Sequence, residues 1–279
     1  MTKRKKVKIL NIPIDTFKKS EVLEFLEEKI GQKSIVKIAT VNTEFLMTAT
    51  WREDVRAMLD ATTLNLADGV GVLWAAKFLS LKLPKEKFWR IIVGILKLKL
   101  SLMAITFYPK YLCRPIPARI SGSDFIYDLS KFAAKNSLSL FFLGGEPTVA
   151  EQAALKLQTD ILNLKVAGTY AGTPKVEDEE KIVEIIKNSQ ADIIFVAYGV
   201  PNEELWINRN LKKTAAKIGI GIGGTFDFLA GRRKRAPRFF RTIGLEWFWR
   251  LILEPRRLRR QLALPKFIYQ IFKLKIFTN

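Results

Sequence analysis

The fold this chain predicts is an α/β fold with an open, Rossmann-like, mostly parallel sheet and helices on both faces. Short apolar runs rich in β-branched residues alternate with segments of helical period. Most of these runs close on a polar or glycine-containing turn, as at Asn42, Asp68-Gly69, Gly144-Gly145, Gly199-Val200-Pro201 and Gly223-Gly224. The chain is 279 residues long and 48% hydrophobic, which suits one large domain or a domain with an appendage. In such a sheet, ligands sit at the C-terminal strand ends.

Residues 7–12 read as a strand, and 20–30 as an amphipathic helix that turns Val22, Leu26 and Ile30 inward. A second strand over 35–41 ends in Thr40-Val41-Asn42-Thr43-Glu44, and a helical pattern starts at Phe45. A short third strand, 64–67, ends at Asp68-Gly69 and feeds a helix over 70–79. After Arg119-Ile-Ser-Gly-Ser-Asp124, whose Ser121–Asp124 stretch caps a helix, the helix covers 125–135. Strands at 138–143, 164–167, 192–197 and 218–222 follow, with helices from Thr148 to about Ile161 and over 177–188. Paired glycines before a helix N-terminus, as at Gly144-Gly145, can admit a diphosphate, because backbone N–H groups and the helix dipole both face it.

Composition excludes several chemistries. With no histidine and a single cysteine, Cys113, the chain has no internal disulfide, no usual zinc site and no histidine-based triad. A general base must therefore be a carboxylate, or else a lysine or tyrosine. There is no Asp-x-Asp motif to hold a divalent cation. The basic N-terminus lacks the apolar core of a signal peptide, and Lys97 and Lys99 interrupt the longest uncharged stretches near Trp89.

The net charge of +20 is localised. Residues 229–279 hold fourteen basic and two acidic residues, and residues 77–119 hold ten and one. The remainder is nearly neutral, so the excess marks surfaces that dock on something. Between Arg232 and Arg260 the basic residues are interleaved with Phe239, Phe240, Trp247, Phe248 and Trp249. That combination suits a polyanionic surface with an apolar interior, such as an anionic membrane face or a phosphorylated lipid.

The run GGTFDFLAG–RRKRAP–GLEWFWRL–EPRRLRR resembles the C-terminal signature of the WecG/TagA/CpsF glycosyltransferases, glycosyltransferase family 26. TVNTEF, ADGVG, RISGSD and GVPNEELW extend the resemblance along the chain. It implies an inverting transferase that needs no metal or other cofactor and moves a sugar from a UDP-sugar to a polyprenyl-diphosphate-linked acceptor. On these matches Asp68 is the catalytic base, and Thr40 and Asn42 line the donor pocket. Arg119 is a candidate phosphate clamp. Gly199, Pro201, Glu203 and Glu204 belong to the match of GVPNEELW, and Gly223, Gly224 and Asp227 to that of GGTFD. Arg250, Arg257 and Arg260 carry the family's spacing of seven and ten, and offset the charge of departing UDP.

From residues alone, Asn42 is equally a helix cap, Asp68 an Asx turn, and each arginine a lipid-headgroup contact. Glu203 stands where the family has glutamine, which leaves the donor sugar open, because an ionised carboxylate only accepts hydrogen bonds. The resemblance divides the chain into a catalytic domain at 1–228 and a basic amphipathic appendage at 229–279. Within the first, about thirty residues at 82–117 form an apolar, lysine-punctuated insertion, read as an interfacial hairpin or in-plane helix. The alternative there is a dimerisation arm, and with it a homo-oligomer.

The resulting expectation is a cytoplasmic enzyme, peripheral on the inner face of the cell membrane, moving N-acetylmannosamine or a related sugar in surface polysaccharide or teichoic acid synthesis. A glucosyl or uronosyl transferase of the same family is the alternative enzyme. A nucleic-acid-binding protein is the reading from another class; the Leu-Ile-Leu density beside the tryptophans argues against nucleic acid as a partner. A catalytically dead scaffold is the remaining option, and UDP binding would test it.

Overall fold

A computed structural model of the chain describes residues 5–237, 240, 246–253 and 263–277, with the backbone alone at 246, 247 and 250. Six parallel strands form the main sheet: β3 (Val36–Val41), β4 (Leu64–Ala67), β5 (Ser139–Gly144), β6 (Lys165–Tyr170), β7 (Ile193–Ala197) and β8 (Ile218–Gly221). Their spatial order is β4-β3-β8-β7-β5-β6. The inner strands are apolar on both sides, as a parallel sheet covered on both faces requires. In β5, Leu140 and Phe142 point to one face, while Phe141 and Leu143 point to the other.

One face is covered by α1 (Lys19–Gly31), α6 (Gly122–Lys135), α7 (Val149–Asp160) and α10 (Thr225–Leu229). The opposite face carries α2 (Thr43–Ala49), α3 (Glu53–Ala61), α4 (Val70–Ser80), α8 (Glu179–Ser189) and α9 (Asn202–Asn210). The chain therefore leaves β5 and β8 toward the first face, but leaves β3 and β7 toward the second. Adjacent strands that send their loops to opposite faces open a crevice at their C-terminal ends. Register keeps those ends level, with Val41 beside Ala67, Gly144 beside Ala197, and Val196 beside Gly221.

The N-terminus departs from the single strand expected over 7–12. It forms an antiparallel hairpin, β1 (Lys6–Ile9) and β2 (Ile12–Asp15), outside the main sheet. Leu10 and Asn11, at φ 49° and 67°, make the two-residue turn, whose twist matches that of a hairpin. Asp15 fastens the hairpin by accepting the N–H of Asn65 at 2.9 Å.

Residues 87–107 form one 21-residue helix, α5. Its inner face packs on α4 and on α12 (Ala263–Phe277). Gly94 lets these helices meet, since a Cβ there would lie 2.4 Å from Ile276 Cδ1. No described helix is long and apolar enough to cross a membrane. A further helix, α11 (Glu246–Leu253), lies in the basic stretch, where Phe240 and Trp249 pack with ring centroids 5.3 Å apart. Whereas the sequence suggested an appendage from residue 229 onward, α12 packs into the body: Phe267, Ile271 and Ile276 are buried, and Phe267 meets Trp74 edge-on.

Candidate active site

Three strand ends and one helix start meet at the crevice. Thr40, buried at the end of β3, donates from Oγ1 to the Gly221 carbonyl at 3.4 Å. Asp68 follows β4 and is half-buried, and its N–H donates to the Val41 carbonyl at 2.8 Å. Ile120 N–H donates to the Ala67 carbonyl at 2.8 Å, which brings the Arg119 segment alongside Asp68. The first turn of α6 then crosses above β3 and β8. A Cβ on Gly122 would stand 3.5 Å from Thr40 Oγ1 and 3.4 Å from Ile222 Cα. Thr40, Asp68, Arg119, Gly122 and Gly223 thus share one region, although up to 183 positions of sequence separate them.

Asn42 takes up the capping role that residue chemistry allowed. Its Oδ1 accepts the Phe45 N–H at 2.9 Å and so starts α2. Gly144 and Gly145 are held by close approach between strands. Both have positive φ, and a Cβ on Gly144 would lie 2.7 Å from the Ala197 oxygen. The Gly145 N–H is already donated to that oxygen, at 3.2 Å. Gly223, at φ 55°, turns the chain into α10, which carries Asp227; Gly224 caps that helix. Arg119 lines a cleft of about 220 Å³ with Ser121, Asp124 and Asp128. A second cleft, of about 530 Å³, lies between Pro174–Glu177 and α9, where Asn202, Leu205 and Arg209 line it.

Glu203 and Glu204 are buried in the first turn of α9, at 0% and 3% exposure. Glu203 faces inward, where Oε2 accepts from Gly199 N–H at 3.0 Å and Oε1 from Gly223 N–H at 2.9 Å. It therefore ties the β7 turn, which carries Gly199 and Pro201, to the β8 turn. Burial pushes the Glu203 carboxyl up to about 8, against the opposing pull of the backbone donors. Among the described residues Glu204 has no hydrogen-bond partner, and it lies against Gly221. Burial first, and the neighbouring Glu203 second, raise it well above the carboxylate range.

Three arginines counted in the sequence only as part of a basic arm make specific contacts across this edge. Arg232 pairs with Glu146 at 2.7 Å, and Arg233 with Asp227 at 3.4 Å. Arg235 pairs with Asp124 at 2.7 Å and also donates to Ser123 Oγ at 3.1 Å. Residues 231–237 thus run over the loops after β5 and β8 and the start of α6. The RRKRAP run just after α10 was the available signal. Arg250 contributes only its backbone to the description, and Arg257 and Arg260 lie outside the described residues.

Comparison with known proteins finds relatives along most of the chain. A protein of Bacillus subtilis strain 168, an N-acetylglucosaminyldiphosphoundecaprenol N-acetyl-beta-D-mannosaminyltransferase, is 29% identical over 266 residues, covering 95% of this chain and 90% of that protein. A transferase of the same name from Bacillus spizizenii strain W23 is 28% identical over 236 residues, covering 85% and 78% respectively. Residues 7–91 and 103–279 match the glycosyl transferase WecG/TagA/CpsF family, so the chain belongs to that family and is a glycosyltransferase.

Proposed function

We propose that this chain transfers an N-acetylmannosaminyl group from a UDP-sugar to a polyprenyl-diphosphate-linked N-acetylglucosamine, with inversion, in bacterial surface polysaccharide or teichoic acid synthesis. The observation that carries the proposal is the gathering of Thr40, Asp68 and Arg119 at one sheet edge, in a chain related along most of its length to two transferases of that specificity.

Asp68 takes the proton from an acceptor hydroxyl, and that oxygen attacks the anomeric carbon of the donor. The bond from the anomeric carbon to the diphosphate breaks, and UDP leaves with the electron pair. The Thr40 hydroxyl and the first turn of α6 line the donor side, where helix N–H groups favour anionic charge. Arg119, with Arg250, Arg257 and Arg260, offsets the charge that develops on UDP. The Gly144-Gly145 and Gly223-Gly224 turns and Asp227 shape the pocket, while Glu203 and Glu204 act from beneath it by fixing the turns. A polyprenyl acceptor stays in its bilayer, so the enzyme works peripherally at the inner membrane face.

The test is UDP release with a short-chain, diphosphate-linked N-acetylglucosamine acceptor and a panel of donors: UDP-N-acetylmannosamine, UDP-N-acetylglucosamine, UDP-glucose and UDP-glucuronate. The proposal expects the first to react fastest. Preference for UDP-glucose or UDP-glucuronate would replace it with the glucosyl or uronosyl alternative.

A further inference from the structure

The outward face of α5 is an unbroken apolar row. Phe88, Ile92, Leu96, Leu100, Met103 and Phe107 follow one another every three or four residues, and their exposures run from 43% to 78%. At 1.5 Å per residue the helix spans about 31 Å, so this stripe is larger than soluble proteins ordinarily leave in water. Its inner face is occupied. Trp74 Nε1 donates to Ser101 Oγ at 3.0 Å, and Gly94 is seated against Ile276.

We propose that this stripe docks on an anionic lipid bilayer, with α5 lying in the plane of the headgroups. Charge selects the occupant. Residues 77–119 hold ten basic residues and one acid, Glu86, and Lys87 and Lys99 are exposed beside the stripe. A second copy of the chain would bring two strongly positive surfaces together, whereas an anionic leaflet complements both the lysines and the apolar row. The family match is interrupted over 92–102, which holds Ile92, Leu96 and Leu100, while Phe88, Met103 and Phe107 lie within it. Lys275 Nζ donates to the Leu79 carbonyl at 2.6 Å near the Gly94–Ile276 contact, while the earlier Trp74 of α4 meets the later Ser101 of α5, so α5 runs antiparallel to α4, from its end toward its start. The far end of α5 therefore points toward the side of Asp68. Only the role of this orientation, presenting the crevice to a lipid-linked acceptor, rests on the proposed function.

The full chain, without substrates, is sedimented with vesicles of phosphatidylglycerol and phosphatidylcholine and with vesicles of phosphatidylcholine alone. Wild type should bind the anionic vesicles preferentially at low salt. The triple variant Ile92→Glu, Leu96→Glu, Leu100→Glu changes exposed positions only, and its partitioning should fall roughly tenfold or more. Quenching of tryptophan emission by brominated lipid should decrease in Trp89→Phe. Partitioning of the triple variant within about twofold of wild type would overturn the proposal. So would a wild-type dimer, seen by light scattering, that the triple variant splits, because a second copy would then cover the stripe. Binding is read without any sugar donor, so failure of the donor panel leaves this result standing, and the reverse also holds.

Discussion

Glu203 Oε1 accepts a hydrogen bond from the backbone N–H of Gly223 at 2.9 Å, so a carboxyl on α9 holds the turn that follows β8. Its other oxygen holds Gly199 after β7. The residue that departs from the family's glutamine is thus placed to brace two loops rather than to meet a sugar. Glu203→Gln keeps an acceptor for these N–H groups and should leave the ranking of UDP-sugars unchanged, with activity within a few-fold. Initial rates across the donor panel check this. A reordered ranking would mean that the side chain reaches the donor.

The buried pair also sets a pH dependence. The Glu203 carboxyl is raised by burial from 4.5 to about 8, and Glu204 is raised in the same sense. Between those values the folded chain keeps a proton that the unfolded chain releases. This contribution to stability is fully present below about pH 4.5 and is lost as pH rises through about 8. Denaturant midpoints should therefore fall as pH rises through this window, and Glu204→Gln should flatten that slope. A Glu204→Gln slope equal to that of wild type would show that Glu204 does not hold the proton.

Most of the sheet was legible because strands and punctuation coincide in sequence. The apolar runs ending at Asn42, Asp68, Gly144 and Gly223 are the strands that converge. The hairpin at 6–15 was not legible, because Leu10 is an apolar residue in a left-handed turn that glycine or asparagine usually marks. Burial of Glu203 and Glu204 was not legible, because acids in a first helical turn suit an exposed position beside the helix dipole equally well. The partners of Arg232 and Arg235 lie 86 and 111 positions away, a pairing that local composition does not contain. In the same way, the basic surface of α12 concealed Phe267 and Ile271, which belong to the core.

The contact of Arg235 with Asp124 should be measurable. Burial opposes ionisation of Asp124, but the hydrogen bond and charge of Arg235 outweigh it and hold the carboxyl below its usual range. A depressed carboxylate contributes stability above its unfolded value, and the contribution is lost as pH falls through the folded one. Arg235→Ala should therefore cost about 1 kcal/mol or less at neutral pH, because the pair is partly exposed, and less still in acid. It should also raise KM for the UDP-sugar by loosening the strap over α6. Equal destabilisation at neutral and acid pH would show that the arginine acts through packing alone.

Asp68, at the end of β4, is the proposed base of an inverting N-acetylmannosaminyl transfer. The most direct measurement is the anomeric configuration and yield of the product, read by NMR, from UDP-N-acetylmannosamine and the short-chain diphosphate-linked acceptor. Wild type should give a β-linked product. Asp68→Asn should bind UDP and keep its fold but lose about 10²–10⁴-fold in rate. An α-linked product would show that the transfer is not inverting, and an Asp68→Asn enzyme within a few-fold of wild type would show that Asp68 is not its base.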